Sequence, residues 1–477
     1  MPAMPQSIPL IHFVGVAGSG MSALAQFHLM GGGRACGSDR SFDRGQSRAV
    51  REKLAALGLR VFPQDASAFI NNKPDYVVAS GAVEDKIPDL ARAKALGIPV
   101  RHRADELSAH VEAFRSVAIA GTSGKSTVAG MLFEILEEAG LDPSIITGGE
   151  LVALKARGLI GNAWRGRSLR LVVEADESDG TIVRHRPEIG VLLNISKDHK
   201  DIPELERMFH EFQSRSKTFL AADAPGLGAF HGGARTFGFE RGDIRAENLS
   251  LGPEGSRFEL RGIPFSISWP GLHNAENALA ATAAAHACGV PLEAAAKALK
   301  NFAGIARRFE LVGRAGGVEV VDDYAHNPAK VAAALAAARL RAKRVLAVFQ
   351  LHGYFPARFM RKEFIEALST GLRPGDRLWM TEIYYAGGTT AKDISAEDFV
   401  REIAARGRRA VFAPAREELP RELAKESKAG DLILVMGARD PSLPGFAQEV
   451  LESLKRQGSL NAPPGRGPSG PSGPSAR

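Results

Sequence analysis

The stretch Gly121-Thr122-Ser123-Gly124-Lys125-Ser126-Thr127 combines glycine, lysine and hydroxyl residues in the way a nucleotide phosphate requires. Glycines let the main chain approach phosphate oxygens, and backbone N–H groups at a helix start favour negative charge. Ser126 supplies the hydroxyl that such loops place on Mg²⁺. The loop is a shortened one: five positions before Gly124 stands Ile119, where the common G-x-x-x-x-G-K-[ST] spacing has glycine. A glycine turn without ligand is the alternative; lysine directly after glycine at a helix start favours the phosphate. Further along, Leu171-Val172-Val173 runs into four acids, Glu174, Asp176, Glu177 and Asp179. A strand end beside a phosphate loop is where a carboxylate can hold Mg²⁺, a hard cation that takes oxygen ligands. Capping the next helix is the other use for these acids. Asn194–Asp201, NISKDHKD, ends the next apolar run with Asp198 and His199. A lone histidine is most often structural, but this one shares a sheet edge with the acids and suits a second metal.

A second glycine loop lies near the start, Gly15-Val16-Ala17-Gly18-Ser19-Gly20, ahead of Met21. Its order, G-x-x-G-x-G, differs from the dinucleotide fingerprint G-x-G-x-x-G. Ser38 and Asp39 close the following strand, and an acid there resembles one that grips a ribose. The segment reads as a nucleotide-diphosphate binder, with hydride transfer by an NAD-dependent dehydrogenase as a remote alternative that leaves the central loop unexplained.

The elements that must carry these loops alternate between strand and helix. Leu10–Val16 reads as a buried strand, Met21–Met30 as a helix, and Asp75–Ser80 and Ile98–His102 as later strands. From Phe114 a new unit starts, with Ser116–Gly121 as a strand. Ser126–Glu138 follows as a helix whose apolar residues Val128, Met131, Leu132, Ile135 and Leu136 keep helical spacing. The runs 169–178 and 189–196 are near-continuous apolar strands, and 277–289 is an alanine-rich helix stopped by Gly289. From about Leu311 strands and helices alternate again. Such alternation predicts α/β domains with parallel sheets. The expected division is 1–112, 113–310 and 311–456, with 457–477 a disordered Gly/Pro/Ser tail.

Composition sets the remaining bounds. A chain of 477 residues is long enough for about three domains. The apolar fraction of 44% is that of globular cores, and no apolar run reaches the ~18 residues of a membrane span. The net charge of +7 is scattered rather than blocked, which argues against nucleic-acid binding. The cysteines Cys36 and Cys288 form neither a disulfide framework nor a cysteine-rich metal site, and the N-terminus lacks a secretory pattern, so a cytoplasmic protein is expected.

Taken in order, IHFVGVAGSGMSALA with GSD, GTSGKST, EADESDGT, NISKDHKD, GLHNAENALAA, GIARRFE and DDYAHNP resemble the motifs of the Mur ligases over almost the whole chain before the tail. The resemblance implies three domains: a Rossmann-like UDP-binding domain, a central ATPase-type domain and a C-terminal Rossmann-like domain that closes over the site. The implied activity is ATP-dependent amide-bond formation between an amino acid and the carboxylate of UDP-N-acetylmuramate, through an acyl phosphate, in peptidoglycan precursor synthesis. L-Alanine is the amino acid of the branch it resembles most. Carried onto this sequence, Lys125 holds the β- and γ-phosphates within the ATP loop Gly121, Thr122, Ser123, Gly124, Ser126 and Thr127. Ser126 and Glu174 hold one Mg²⁺ and His199 a second. Asn274 and Asn277 face the adenine, Arg308 reaches the γ-phosphate, Asp323 meets the ribose, and Tyr324 and His326 lie near the nucleotide and the amine. Gly15, Gly18, Ser19, Gly20, Met21, Ser38 and Asp39 hold the UDP moiety. The implied catalytic set is Lys125, His199, Arg308 and His326, in a monomer or weak homodimer with no nucleic-acid or membrane partner.

Several residues depart from the alanine-adding pattern: Ser123 and Asn327 stand where histidines are usual, and Gly353 replaces an arginine. No carbamylated lysine is expected, although Lys217 is nearby. A ligase that recycles whole peptides onto the same sugar nucleotide, a divergent ligase with another amine, and a non-catalytic sugar-nucleotide-binding relative are the alternatives.

Overall fold

The computed structural model describes residues 8–70, 72–80, 87–178, 180–197, 200–385 and 390–460. The chain is α/β throughout and forms two compact units, residues 1–308 and 309–477. Among the described residues the first contains two sheets and the second contains one. No helix among the described residues is long and apolar enough to cross a membrane.

The first sheet has five parallel strands in the order Arg60–Phe62, Arg34–Ser38, Leu10–Val14, Tyr76–Ala79 and Val100–His102. Its central strand, LIHFV, is buried along its whole length, as a strand covered on both faces must be. The helix Ser19–Met30 starts two residues earlier than its apolar pattern suggests, because Gly18 serves as the cap and Ser19-Gly20 already turn.

The second sheet has ten strands. Its parallel centre runs Ile244–Gly252, Arg235–Gly238, Thr218–Ala222, Ile189–Leu192, Arg115–Ala120, Arg170–Glu174 and Ser144–Ile146. Two antiparallel strands, Gly255–Leu260 and Ile263–Ile267, extend one edge, and Ala163–Trp164 closes the other. Register places the chemistry: Ile119 lies opposite both Val191 and Glu174, so the phosphate loop, Glu174 and Asn194 leave the sheet on one edge. The helix Lys125–Glu138 packs its buried Val128, Met131, Leu132, Ile135 and Leu136 in one cluster with Leu272–Ala287, whose run of buried alanines permits close approach.

The two sheets of this unit are tied by side chains as well as by apolar packing. Asn162 Nδ2 donates to Ser19 O at 2.7 Å and to Ser22 Oγ at 3.0 Å, while Gln26 Nε2 donates to Asn162 Oδ1 at 2.7 Å. The first helix is thereby fastened to the second sheet.

In the second unit the strand order is Glu310–Ala315, Val318–Asp323, Asp431–Gly437, Arg344–His352, Arg377–Tyr384 and Ala410–Phe412, parallel except for the first pair. The last helix runs from Leu443 to Leu460, past residue 457 where the sequence suggests a tail. Each added residue gains a helical hydrogen bond, and Pro463 and Pro464 stand just beyond. Residues 461–477 lie outside the described chain.

Candidate active site

Two positive-φ glycines shape the phosphate loop. Gly121 has φ 133° and Gly124 has φ 86°. A Cβ on Gly121 would stand 3.1 Å from Asn194 N, and one on Gly124 would collide with Asn277 Oδ1. Only glycine meets both demands. The loop is held from the next strand: Asn194 Oδ1 accepts from Ser123 N at 2.9 Å and its Nδ2 donates to Ser123 O at 3.0 Å. Thr122 Oγ1 donates to Ser196 O at 3.1 Å and accepts from Ser196 N at 3.0 Å.

Lys125 begins the helix with its ammonium group turned back onto the loop. Nζ donates to Gly121 O at 2.8 Å and to Glu177 Oε2 at 2.7 Å, and lies 3.7 Å from Asp176 Oδ1. Burial by itself lowers the lysine's pKa, but Glu177, Asp176 and Glu174 outweigh it and hold it above the ordinary lysine value. Lys125 is therefore a permanent cation at physiological pH. The Asp176 carboxyl, raised by burial, is brought below its usual range by Lys125, by hydrogen bonds from Ser178 and by Arg103.

Ser126 and Glu174 flank one dipeptide, Gly148-Gly149. A Cβ on Gly149 would lie 2.8 Å from Ser126 Cβ, and one on Gly148 would lie 2.9 Å from Glu174 Oε2, which already accepts from Gly148 N. The glycines leave room beside a hydroxyl and a carboxylate, oxygen donors of the kind Mg²⁺ takes. His199, expected on a second ion, lies outside the described residues, as do Asp198 and Asp179. Among the described residues, no group of three or more His, Cys, Asp or Glu side chains could hold a metal ion.

Asn277 lies against Gly124. Asn274 is buried and donates to Pro270 O at 2.8 Å within its own turn. Just before Asn274 in the same motif is His273, whose imidazole burial pushes down to about 4, so it is neutral at pH 7; the motif held this residue, but nothing in its spacing marked it. Arg308 sits at the end of a segment fixed on the phosphate-loop helix: Ile305 bridges Leu151, Ala306 N donates to Glu150 O at 2.8 Å, and a Cβ on Gly130 would meet Ile305 Cδ1 at 2.6 Å. Arg307 and Phe309, on either side of Arg308, are left-handed with φ 59° and 49°, a costly conformation for large side chains.

At the first sheet, Gly15 N and Val16 N donate to Ser38 O at 2.8 and 3.1 Å. Asp39 accepts from Ala17 N at 2.8 Å through Oδ2 and from Ser41 N at 2.8 Å through Oδ1. Its two oxygens thus serve the loop itself. Arg103, which no motif marks, lies against Gly20: a Cβ there would stand 3.1 Å from its Nη1. The same guanidinium acts on Asp176, so it spans the glycine loop of one sheet and the acids of the other.

In the second unit Asp323 Oδ2 accepts from Phe309 N and Oδ1 from Ala325 N, both at 2.7 Å. Nδ1 of His326 lies 2.8 Å from Tyr324 O, and its ring centre lies 5.4 Å from those of Tyr324 and His352. Asn327, which departs from the alanine-adding pattern, is wholly buried and caps the helix Pro328–Arg341 by accepting from Lys330 N at 2.9 Å.

A parallel sheet with a Gly-Lys-Ser loop opening a helix beside an acidic strand end is the architecture of a nucleotide-phosphate-binding α/β protein. Comparison with known proteins narrows this. The family model described as "Mur ligase family, catalytic domain" matches residues 10–115, "Mur ligase middle domain" matches 119–285, and "Mur ligase, glutamate ligase domain" matches 307–439. UDP-N-acetylmuramate–L-alanine ligase of Pelotomaculum thermopropionicum is 35% identical over 93% of this chain and 97% of its own. That of Streptomyces coelicolor is 34% identical over 95% and 100%. The crystal structure of UDP-N-acetylmuramate-alanine ligase MurC from Thermotoga maritima superposes with a TM-score of 0.76 at 25% identity, covering 95% of this chain and 100% of that one. The chain belongs to the Mur ligase family.

Proposed function

We propose that the protein is an ATP-dependent ligase that joins L-alanine to the carboxylate of UDP-N-acetylmuramate, forming ADP and phosphate, in the cytoplasmic synthesis of peptidoglycan precursors. The observation that carries this reading is the placement of Ser126 and Glu174 against Gly148-Gly149, beside the loop onto which Lys125 folds back. The relatives' names supply the substrates.

A carboxylate is a poor acyl donor because oxide is a bad leaving group. Attack of its oxygen on the γ-phosphorus of ATP expels ADP and leaves an acyl phosphate. The amine then attacks the carbonyl carbon, loses a proton, and phosphate departs. Transfer of this kind needs alignment and neutralised charge more than covalent help from the protein. In this reading Lys125 is released from Glu177 and Gly121 O to meet the β- and γ-phosphates, while the loop's backbone N–H groups cradle them. Arg308 adds charge at the γ-phosphate, Asn274 and Asn277 serve the adenine, and Asp323, Tyr324 and His326 serve the nucleotide and the amine. Ser126, Glu174 and His199 would hold Mg²⁺, which when bound neutralises phosphate charge. The glycine loop Gly15–Gly20 with Met21, Ser38 and Asp39 takes the UDP end. Domain boundaries near residues 113 and 311 and a monomer or weak homodimer acting on small molecules alone complete the proposal.

The test is phosphate release by the purified protein with ATP, Mg²⁺ and UDP-N-acetylmuramate, offered L-alanine, glycine, L-serine or the cell-wall tripeptide. L-Alanine is expected to stimulate release most, and Lys125→Ala to abolish it while UDP binding persists. Stimulation by the tripeptide alone would replace the alanine assignment with peptide recycling. Unchanged turnover in Lys125→Ala would remove the phosphate-loop assignment.

A further inference from the structure

Three side chains from separate stretches of the first sheet's layer meet where no solvent reaches. His12 and Asp89 are each 0% exposed, and Cys36 is 1% exposed. His12 and Cys36 are direct neighbours on adjacent strands, and Asp89 lies in the first turn of the helix Pro88–Ala95. The Cys36 sulfur is 3.2 Å from His12 Nδ1, and His12 Nε2 is 3.0 Å from Asp89 Oδ2. Asp89 also accepts from Ser38 Oγ, and through Oδ1 from Ala66 N at 2.8 Å.

The proton positions follow from the chemistry. Burial pushes the Cys36 thiol up to about 12, so it keeps its proton and donates to Nδ1. Nε2–H of the same ring then faces Asp89 and donates to it. Burial raises the Asp89 carboxyl, but the hydrogen bonds of His12, Ser38 and Ala66 and the His12 ring outweigh it and hold it below its usual range. One buried negative charge is thus met by three donors. Placing a lone carboxylate in an apolar layer costs several kcal/mol before such bonds form, so the arrangement needs a purpose beyond packing.

Its surroundings indicate that purpose. Beside the glycine loop is a cavity of about 250 Å³ whose lining includes Gly15, Asp39, Arg40, Arg44, Gln64 and Ile87. These come from three stretches besides the loop; Asp89 hydrogen-bonds beside two of them and belongs to the third. Ser38 precedes Asp39 and Arg40 and its carbonyl receives Gly15 N and Val16 N. Ala66 follows Gln64 closely, and Ile87 caps Asp89's own helix.

We propose that Asp89, oriented by His12 and Cys36, is the positioning residue of this cavity, setting the spacing of its walls for the uridine-diphosphate end of the sugar nucleotide. The inference rests on the sugar-nucleotide reading above. It is tested on the full chain by calorimetric binding of UDP and by steady-state kinetics. Asp89→Asn, which keeps the shape but removes the charge, is expected to raise the Kd of UDP and the KM of the sugar nucleotide about ten-fold, the loss of one hydrogen bond to a charged group. KM for ATP and kcat at saturation stay unchanged. His12→Leu is expected to act in the same direction, and His12→Gln, whose amide N–H can reach the same carboxylate, to restore most of the affinity. If Asp89→Asn does not fold, the His12 pair decides. A lowered thermal midpoint with unchanged UDP affinity, or an equal rise in KM for ATP, would overturn the proposal. Wild-type protein that fails to bind UDP would overturn both it and the reading beneath it.

Discussion

Glu134 offers a test of how the phosphate-loop helix is joined to the segment that carries Arg308. It lies one turn beyond Gly130 on Lys125–Glu138, and Ala303 N donates to its carboxyl. Its Oε1 is buried with no hydrogen-bond partner. Burial is the largest influence and raises the pKa from 4.5 to about 7; Glu137 adds to this, while Ala303 and Arg157 oppose it. The folded chain therefore holds this proton more tightly than the unfolded chain. The stabilisation is fully present below about pH 4.5 and is lost as pH rises through about 7. At about 1.4 kcal/mol per unit, the displacement is worth at most roughly 3 kcal/mol. Glu134→Gln removes the titration, so its stability relative to wild type should rise by up to that amount from about pH 4.5 to about pH 8.5. Pairing thermal scans of the two proteins across this range isolates the effect, because pH-independent costs of the amide cancel. Fluorescence of Trp164 and Trp269 follows the first unit, in which both lie. At roughly 2–4 °C per kcal/mol, the gap in Tm should widen by at most roughly 6–12 °C. A gap that stays constant with pH would show that Glu134 titrates normally and that its contact with Ala303 is made by an ionised carboxylate.

Two further substitutions separate the loop from the second unit. Gly124→Ala forces a left-handed alanine and a clash with Asn277 Oδ1; it is expected to raise KM for ATP about ten-fold or more while UDP affinity is unchanged, as backbone strain of ~1–2 kcal/mol at the loop implies. Asn327→Ala removes the cap on Pro328–Arg341. It should cost about 1–2 kcal/mol, read as an earlier transition of Trp379 fluorescence with the Trp164 and Trp269 transition unmoved.

What the sequence disclosed, and what it withheld, follows from the range of the forces involved. The strand Arg115–Ala120 and the helix after it are legible because both are local: an apolar run, two glycines whose φ no other residue adopts cheaply, and helical spacing of the buried side chains. The antiparallel strands at the sheet edge are less so, since Gly255–Leu260 buries only alternate residues and carries charge on the others. The acids after Val173 were visible as a group, yet which of them meets Lys125 depends on the pairing of Ile119 with Glu174, a register no local pattern encodes. His12, Cys36 and Asp89 are farther from reach still. They are 24 and 77 positions apart and meet only because one sheet and one helix bring them together.

Asp39 and Asp323 show where the limit lies. Each is an acid at a strand end ahead of a helix, and each meets protein donors with both oxygens, four of the five donors being main-chain N–H groups. A carboxylate that stiffens a loop and one that grips a ligand have the same sequence neighbours, because both answer the same need of exposed N–H groups at a strand's end for an acceptor. What separates them is whether the N–H groups have another partner, and only the folded chain decides that.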